Sequence, residues 1–341
     1  MTLGVAVLGY GYWGANLARN VRAAGNTELV AVADSAEDRR QAASASLGGV
    51  DTVASLDDLL ADDRVGAVVI STPASTHVEA AMAALAAGRH VLVEKPLAMT
   101  PADADAVVAA ADKAERTLMV GHTFLYSAPI AMLRQLIVQG DLGKIQYLYS
   151  QRLSLGRIRR DCNAMWNFAP HDISIMLHLL DDRVVEVSAK GFSFIGEGVD
   201  DVCFASLTFA SGVGANLHVS WIDPRKTRLM TIVGDRKMAV YDDVSVDQKI
   251  AIVDAGVAGS ATGFGDYESL GDFQWRTRAG DIVIPHVNMV EPLLAEIQAF
   301  GVACLTGSPP LTDGRHGAEV VRVLHAIDES ARAGGRPVGV E

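Results

Sequence analysis

In the first third of the chain, short apolar runs alternate with segments of helical spacing. Five runs have the length and continuous apolar character of strands buried on both faces: residues 5–8, 29–33, 67–70, 90–93 and 117–120. Helical spacing covers the stretches between them, most clearly residues 13–24, 78–87 and 102–114. Apolar strands alternating with helices predict a parallel sheet with helices on both faces, which is a doubly wound α/β fold.

The pattern changes after about residue 126. One predicted helix, 129–139, is followed by longer segments of strand character: 145–155, 184–195, 202–209, 213–221, 228–233 and 238–241. Several of these alternate with period 2, which is typical of a sheet with one covered face. Residues 256–271 are glycine-rich and predict a loop, and helices return at 291–305 and 314–333. We therefore predict a doubly wound domain over residues 1–123 and an α+β domain with a large, mostly antiparallel sheet over 124–341.

Composition excludes several classes of function. The 341 residues carry 29 Lys and Arg against 41 Asp and Glu, a net charge of −12 that disfavours binding to nucleic acid. Cys162, Cys203 and Cys304 show no C-x-x-C spacing, so we expect free thiols rather than disulfides or structural zinc. No stretch approaches the roughly 20 apolar residues that span a bilayer. We expect a cytoplasmic protein without a membrane partner or a metal site.

A G-x-G-x-x-G motif follows the first predicted strand and opens the helix predicted over residues 13–24. It consists of Gly9, Tyr10, Gly11, Tyr12, Trp13 and Gly14. Such glycines permit a tight turn and close approach of the backbone to a pyrophosphate, which also faces the positive end of the helix. In this strand–turn–helix context, the motif predicts a dinucleotide-binding Rossmann domain.

Asp34 ends the second predicted strand, twenty residues after Gly14. A carboxylate at this point accepts hydrogen bonds from the adenosine ribose and repels a 2′-phosphate, so we predict NAD rather than NADP. Arg39 and Arg40 follow within two helical turns and offer a phosphate site in principle. We favour the alternative that they form a solvated helix face.

Further motifs lie at the ends of later strands and in the second domain. They are S-T-P-x-x-x-H at 71–77, E-K-P at 94–96, G-H at 121–122 and N-x-x-x-H at 167–171. Together with the glycine motif, they resemble the Gfo/Idh/MocA family of oxidoreductases over nearly the whole chain. The resemblance implies oxidation or reduction of a hydroxyl or keto carbon on sugars, nucleotide sugars, sugar alcohols or inositols. The segment 166–172 is most similar to nucleotide-sugar 3-dehydrogenases.

The resemblance also implies roles for individual residues. It puts Lys95 beside the reacting hydroxyl and the nicotinamide ribose, and it matches His171 to the catalytic histidine. Asn167 stands where many members have Asp, which puts a carboxylate proton relay through that position in doubt. The residues expected near the nicotinamide half of the cofactor are Ser71, Thr72, Pro73, His77, Glu94, Lys95 and His122.

Chemistry supports the central pair independently of the resemblance. A carbinol carbon loses hydride only as its hydroxyl proton is removed, so a base must lie within hydrogen-bond reach. Histidine titrates near neutrality, and an adjacent ammonium stabilises developing alkoxide charge. Without context, His171 would be interpreted as a structural histidine and Lys95 as a surface lysine.

The substrate side is less sharply defined by the sequence. Arg152, Arg157 and their neighbours Arg159 and Arg160 either bind an anionic group of the substrate or decorate a loop. Together with Lys95, Asn167 and His171, we expect Trp166 to line the substrate site. His122 either approaches the nicotinamide or is structural.

These observations predict an NAD-dependent dehydrogenase that oxidises a ring hydroxyl, at C3, of a sugar, nucleotide sugar or glycoside. The alternatives are the same chemistry on an inositol or aminoglycoside-type pseudosaccharide, and a non-catalytic NAD-binding sensor or scaffold. A sensor would need neither Lys95 nor His171. The resemblance further implies that the open face of the second sheet pairs with another subunit, so we expect a homodimer or homotetramer.

Overall fold

The computed structural model describes residues 2–156, 162–196, 198–258 and 276–341. In the N-terminal part, strands and helices alternate along the chain. They are β1 (Leu3–Leu8), α1 (Tyr12–Ala23), β2 (Thr27–Ala33), α2 (Glu37–Leu47), β3 (Asp51–Val53), α3 (Leu56–Leu60), β4 (Ala67–Ile70), α4 (His77–Ala86), β5 (His90–Glu94), α5 (Pro101–Ala114) and β6 (Leu118–Gly121).

The six strands form a parallel sheet in the order β3-β2-β1-β4-β5-β6. Its strands β1, β4 and β5 are buried on both faces along most of their length, as their continuous apolar sequence predicts. The strand order reverses between β1 and β4, and at such a switch point a crevice opens beyond the carboxyl ends of the strands. The glycine turn after β1 and the ends of β4, β5 and β6 therefore face the same crevice.

The remainder of the described chain forms the second part. Its elements are α6 (Ala128–Val138), β7 (Ile145–Leu155), α7 (Ala164–Leu180), β8 (Val184–Phe192), β9 (Val202–Phe209), β10 (Gly214–Ser220), β11 (Ile222–Gly234), β12 (Met238–Asp242), β13 (Ile250–Val253), β14 (Gly256–Ala258), β15 (Arg276–Arg278), β16 (Ile282–Val283), α8 (Pro292–Thr306), α9 (Gly314–Arg332) and β17 (Val338–Gly339).

Nine of these strands, among the residues described, form a mixed sheet in the order β16-β13-β12-β11-β7-β10-β9-β8-β17. Only β7 and β10 pair in parallel there, so the sheet is mostly antiparallel. A parallel sheet followed by this one confirms the predicted fold class. The boundary at 123/124 stays a prediction.

One face of the second sheet packs against α7 and α9. Leu217, Val219 and Trp221 lie in this buried layer, which follows from the period-2 alternation of β10. The opposite face carries Tyr147 and Phe204, which are 48% and 43% exposed. Aromatic side chains thus occupy the face that the helices leave uncovered.

Helix α7 and the segment 256–258 are among the regions that differ from the sequence prediction. The pattern predicts no helix over α7, because its apolar residues surround the axis and Pro170 interrupts it. Residues 256–258, predicted as part of a loop, form β14 and pair with β15. The rest of that predicted loop, 259–271, lies outside the described residues.

The last two helices return to the N-terminal part. Helix α8 packs against α1, β1 and β2, and α9 packs against α5 and β6 as well as β8 and α7. Residues near the C-terminal end of the chain therefore pack against the strands and helices that form the crevice of the parallel sheet. None of the helices in the described ranges is both long and apolar enough to cross a membrane.

Candidate active site

The glycine turn after β1 leaves space against the backbone. Gly9 has φ +94°, a conformation that glycine adopts without strain. A Cβ on Gly14 would lie 2.0 Å from the carbonyl oxygen of Gly9, whereas a Cβ on Gly11 would meet nothing within 4 Å. Helix α1 begins at Tyr12, so the amides of its first turn face the turn's open side. This arrangement fits a dinucleotide pyrophosphate, as the sequence predicts.

Asp34 follows β2 and is held rigidly beside the glycine turn. Its Oδ2 accepts a hydrogen bond from the amide of Tyr10 at 2.7 Å, and its Oδ1 accepts one from the amide of Ala36 at 2.9 Å. Arg40 donates to the carbonyl oxygen of Asp34 at 2.7 Å, and Nη1 of Arg39 lies 3.5 Å from Oδ2. Both arginines therefore contact Asp34 at the end of β2. We expect the Asp34 carboxylate to be the group that a ribose would meet.

His77 braces the loops that follow β4 and β5. Its Nε2 lies 2.9 Å from the carbonyl oxygen of Thr72, and its Nδ1 lies 2.8 Å from that of Pro96. The side chain is 1% exposed, and burial lowers the pKa of its imidazole. His77 thus fixes the spacing between the S-T-P and E-K-P segments from behind. Ser71 adds a link to the glycine turn, since its Oγ donates to the carbonyl of Gly9 at 3.2 Å.

Glu94 ends β5 beneath the glycine turn. The indole Nε1 of Trp13, in the first turn of α1, donates to its carboxylate. On the other side, a Cβ on Gly121 would lie 3.0 Å from the Glu94 Cδ, so the end of β6 packs directly against the carboxyl group. Burial raises the pKa of Glu94 to about 7. A carboxyl group in this position titrates near neutrality.

Lys95 connects the parallel sheet to α7. Its Nζ donates to the carbonyl oxygen of Asn167 at 2.8 Å. Pro170, inside α7, lacks the amide hydrogen that would bond to the carbonyl of Trp166, and its ring disturbs the helical ladder at this level. His171 follows Pro170 directly and lies one helical turn after Asn167. The structure therefore brings Lys95, Asn167 and His171 together.

The environment of His171 keeps its imidazole neutral. Burial, followed by the positive charges of Lys95 and Arg152, lowers its pKa well below the usual value near 6.5. Its Nδ1 is buried and has no hydrogen-bond partner among the described residues. The ring contacts Phe124 edge-on, with 4.9 Å between centroids. A neutral, positioned imidazole can accept a proton from a hydroxyl.

Arg152 forms a buried ion pair beside this histidine. Its Nε and Nη2 donate to the two carboxylate oxygens of Asp172 at 2.6 and 3.3 Å, and its Cζ lies 4.8 Å from the centroid of Phe124. The pair joins β7 to α7 and leaves the guanidinium 6% exposed at its side chain. Arg152 thus lies beside His171, as predicted for a substrate-site residue, and its guanidinium is paired with Asp172.

Sequence reasoning missed several residues here. Phe124 contacts His171, and Asp172 bonds to Arg152. The Cζ of Arg228, on β11, lies 6.0 Å from the centroid of the Phe124 ring. Arg228 also donates a hydrogen bond to Asp243 at 3.0 Å. Glu296 on α8 is fully buried, and burial, followed by the charge of Glu94, raises the pKa of its carboxyl group well above the usual value. Only Asp172 could have been found from the sequence, because it follows His171 directly. The other residues come from segments distant along the chain.

Trp166 and His122 are buried against residues of the interior, and Arg157 lies outside the described residues. Trp166 is buried and its Nε1 donates to Asp328 at 2.7 Å, which ties α7 to α9. His122 is buried edge-on against His316, with 5.4 Å between ring centroids, and burial lowers its pKa well below the usual value. Arg157 lies outside the described residues, as do Arg159 and Arg160.

Comparison with known proteins agrees with this architecture. Residues 3–122 match the model of an oxidoreductase family with an NAD-binding Rossmann fold, and residues 130–240 match the GFO/IDH/MocA C-terminal domain. A solved oxidoreductase domain protein from Kribbella flavida superimposes with a TM-score of 0.85 at 24% identity, covering 100% of this chain and 99% of that one.

Two curated relatives indicate the chemistry found in the family. The chain is 34% identical over 211 residues to 1,5-anhydro-D-fructose reductase of Ensifer adhaerens, covering 58% of this chain and 63% of that protein's length. It is 30% identical over 268 residues to UDP-N-acetylglucosamine 3-dehydrogenase of Acidithiobacillus ferrooxidans, covering 78% of each. A solved structure of that dehydrogenase has a TM-score of 0.81 at 26% identity, covering 98% of this chain and 99% of that one. The chain therefore belongs to the Gfo/Idh/MocA family and is an oxidoreductase with an NAD-binding Rossmann domain.

Proposed function

We propose that this protein is an NAD-dependent dehydrogenase that oxidises a secondary ring hydroxyl, at C3, of a sugar, nucleotide sugar or glycoside. One observation carries the proposal: Lys95, at the end of β5 of the NAD-binding domain, bonds to the helix that holds His171. The similarity to a UDP-N-acetylglucosamine 3-dehydrogenase over 78% of the chain supports the choice of substrate and carbon.

Bound NAD would supply the hydride acceptor in this mechanism, and the residues of the chain handle the proton. The Lys95 ammonium, fixed on the Asn167 carbonyl, binds the reacting hydroxyl oxygen and stabilises negative charge as it develops. The neutral imidazole of His171 accepts the hydroxyl proton while the carbon–hydrogen bond breaks. The Asn167 side chain can orient its neighbours but cannot carry a proton.

Other residues set the position of the cofactor. The glycine turn and the first turn of α1 would hold the pyrophosphate, and Asp34 would receive the adenosine ribose. His77 keeps the S-T-P and E-K-P segments at a fixed spacing, so that the nicotinamide half meets a rigid surface. The same residues serve the reaction in either direction.

A substrate screen tests the proposal directly. Purified protein is supplied with NAD and with UDP-N-acetylglucosamine, UDP-glucose, simple glucosides, myo-inositol and an aminoglycoside, and NADH absorbance is followed. We expect turnover of a nucleotide sugar or glycoside, and a substrate deuterated at C3 should give deuterated NADH. Turnover of only the inositol or the aminoglycoside would contradict the substrate class, and label transfer from another carbon would contradict C3. NAD binding without any turnover would favour a sensor.

The uncovered face of the second sheet supports a further part of the proposal, a homodimer or homotetramer. Tyr147 and Tyr149 stack on this face, and Phe204 stacks on His218 with 4.3 Å between centroids. Exposed aromatic side chains at this density are typical of an interface between subunits. Light scattering at micromolar concentration should give at least twice the 36.0 kDa of the chain. A monomeric mass would contradict this assembly.

A further inference from the structure

Two arginines lie directly opposite each other on neighbouring strands of the second sheet. Arg228 of β11 pairs in register with Arg152 of β7, so the two side chains share the face on which Arg152 meets α7. Like charges at such a position repel each other unless other groups offset the repulsion. Asp172 pairs with Arg152, and Asp243 pairs with Arg228. Each positive charge therefore has its own carboxylate, and the two arginines differ in what that carboxylate leaves free.

The two guanidinium groups use different edges. In Arg152, which is buried, Nε and Nη2 donate to the two oxygens of Asp172 at 2.6 and 3.3 Å. In Arg228, Nη1 donates to Asp243 at 3.0 Å, and the side chain is 37% exposed. Its Nε and Nη2 have no acceptor among the residues that the structure describes. Arg228 therefore leaves free the same pair of donors with which Arg152 binds a carboxylate.

Arg228 lies in the same cluster as the proposed proton acceptor. The Phe124 ring is at its centre: the centroid of the His171 ring lies 4.9 Å from the Phe124 centroid, and the Cζ of Arg228 lies 6.0 Å from it. Burial is the main cause of the lowered pKa of His171, and the charge of Arg228 adds to it. A substituent on a sugar whose hydroxyl is bound at Lys95 and His171 is therefore close enough to reach the guanidinium of Arg228.

We propose that Arg228 recognises an oxyanion of the substrate, a carboxylate or phosphate group carried by the sugar that is oxidised. The Nε–H and Nη2–H bonds of a guanidinium run parallel and match two oxygens of such a group, whereas a hydroxyl offers one oxygen. Asp243 keeps this fork in place, because it accepts from Tyr241 at 3.0 Å and its amide donates to the Arg228 carbonyl at 2.9 Å. The inference rests on the proposed function for the position of the sugar, and it narrows the substrate class to negatively charged sugars.

Sugar binding to the complex of the protein with NADH tests this recognition without turnover. NADH is used because its nicotinamide ring is uncharged and does not itself attract an anion. Two matched pairs of ligands are titrated by calorimetry. Methyl glucuronide is compared with methyl glucoside for a carboxylate, and N-acetylglucosamine 1-phosphate with methyl N-acetylglucosaminide for a phosphate. The charged member of at least one pair should bind about 10- to 100-fold more tightly, the range expected for hydrogen bonds to a charged group. The pair that shows the preference identifies the oxyanion.

Three variants separate recognition by Arg228 from a structural role. Arg228→Met removes the guanidinium, so it should bind both members of the preferred pair about equally. Arg228→Lys keeps the charge and loses the fork, so it should recover only a small part of the preference. Arg225→Met is the matched control, because it removes the same charge from an exposed position three residues earlier on β11 and should keep the wild-type preference.

Several results would overturn the proposal. They are a wild type that binds neither charged sugar more tightly than its neutral partner, a preference that survives in Arg228→Met, and an equal loss of charged and neutral ligands in that variant, which would mean that Arg228 only holds Asp243 in place. If Arg228→Met does not fold, Arg228→Lys decides, because full recovery by lysine contradicts recognition by the fork. Failure of the proposed function is a separate outcome: a charged sugar that binds through Arg228 and yields no NADH from NAD would contradict the dehydrogenase and leave the oxyanion site standing.

Discussion

Replacing His171 with Asn removes the proposed proton acceptor and keeps a polar side chain in its place. The imidazole is neutral because burial and the charge of Lys95 lower its pKa, so it accepts a proton throughout the neutral range. Loss of a general base costs about 10²- to 10⁴-fold in rate, which corresponds to about 2.7 to 5.5 kcal/mol of barrier. NAD binding should hardly change, since His171 belongs to α7 and not to the parallel sheet.

The assay is single-turnover formation of NADH at saturating NAD, with NAD affinity measured separately. Lys95→Ala should lose at least about 10²-fold in rate, because both the charge and the bond to α7 disappear. Asn167→Ala is the matched control. Lys95 bonds to the backbone carbonyl of residue 167, so this change leaves that bond intact and should cost much less.

The pH profile separates a base from a structural residue. Because the folded pKa of His171 is lowered, the rate of oxidation should stay level as pH falls to about 6.5 and decline only below it. That acid limb should be absent from the residual activity of His171→Asn. Retention of more than about a tenth of the wild-type rate would refute the assignment, because general-base loss costs far more. The base would then have to be sought at Lys95 or His122.

Three further predictions concern binding and stability. NAD should bind at least about tenfold more tightly than NADP, or about 1.4 kcal/mol, because the Asp34 carboxylate, held beside the glycine turn, would repel a 2′-phosphate; equal affinities in calorimetry would contradict this. Gly14→Ala should lower the free energy of unfolding by about 1–3 kcal/mol in denaturant, whereas Gly11→Ala should not; equal effects would refute the packing argument. Arg152→Met leaves Asp172 buried and unpaired, which should cost about 3–5 kcal/mol of unfolding free energy. A loss of unfolding free energy no larger than that of an exposed ion pair would contradict this, because it would mean that water reaches the Asp172 carboxylate.

The parallel sheet was predictable because its central strands are buried on both faces. Continuous apolar runs, short connections and turn glycines all indicate the same structure there. The prediction failed at β3, a three-residue strand at the edge of the sheet whose residues are exposed or half-buried. An edge strand with a polar sequence has no periodicity to distinguish it from a loop.

Helix α7 shows a different limit. Twelve of its 17 residues are buried, so no polar stripe marks a helical period. Pro170 adds a local signal against a helix. The surrounding sheet and α9 override that signal because they bury nearly the whole circumference. Its chemistry was nevertheless recognisable from the N-x-x-x-H motif, since a motif depends on spacing along the chain and not on exposure.

The partners of the motif residues could not be predicted in the same way. Glu296 stands in an apolar helix as a single acidic residue, and the sequence does not distinguish it from a glutamate on the solvent face. Its burial results from the packing of α8 against α1, β1, β2 and the 3₁₀ turn at Thr123–Tyr126, which are contacts between segments far apart along the chain. Asp172 was visible beside His171, but its partner Arg152 comes from the opposite side of the site.

Two side chains that the motifs marked as cofactor or substrate ligands also contact backbone carbonyls of the chain itself. The ring nitrogens of His77 lie within hydrogen-bond distance of the carbonyls after β4 and β5, of which a neutral imidazole donates to one, and Lys95 donates to that of Asn167. Arg40, which the motifs did not mark, donates to the carbonyl of Asp34. The reason at the strand ends is general: they leave carbonyl oxygens without amide partners in the sheet, and buried carbonyls require donors. A catalytic crevice built where strands end therefore needs donor side chains to hold its walls. Lys95 donates to the Asn167 carbonyl, and in the proposed mechanism its charge also acts on the substrate, so its loss should impair geometry and electrostatics together.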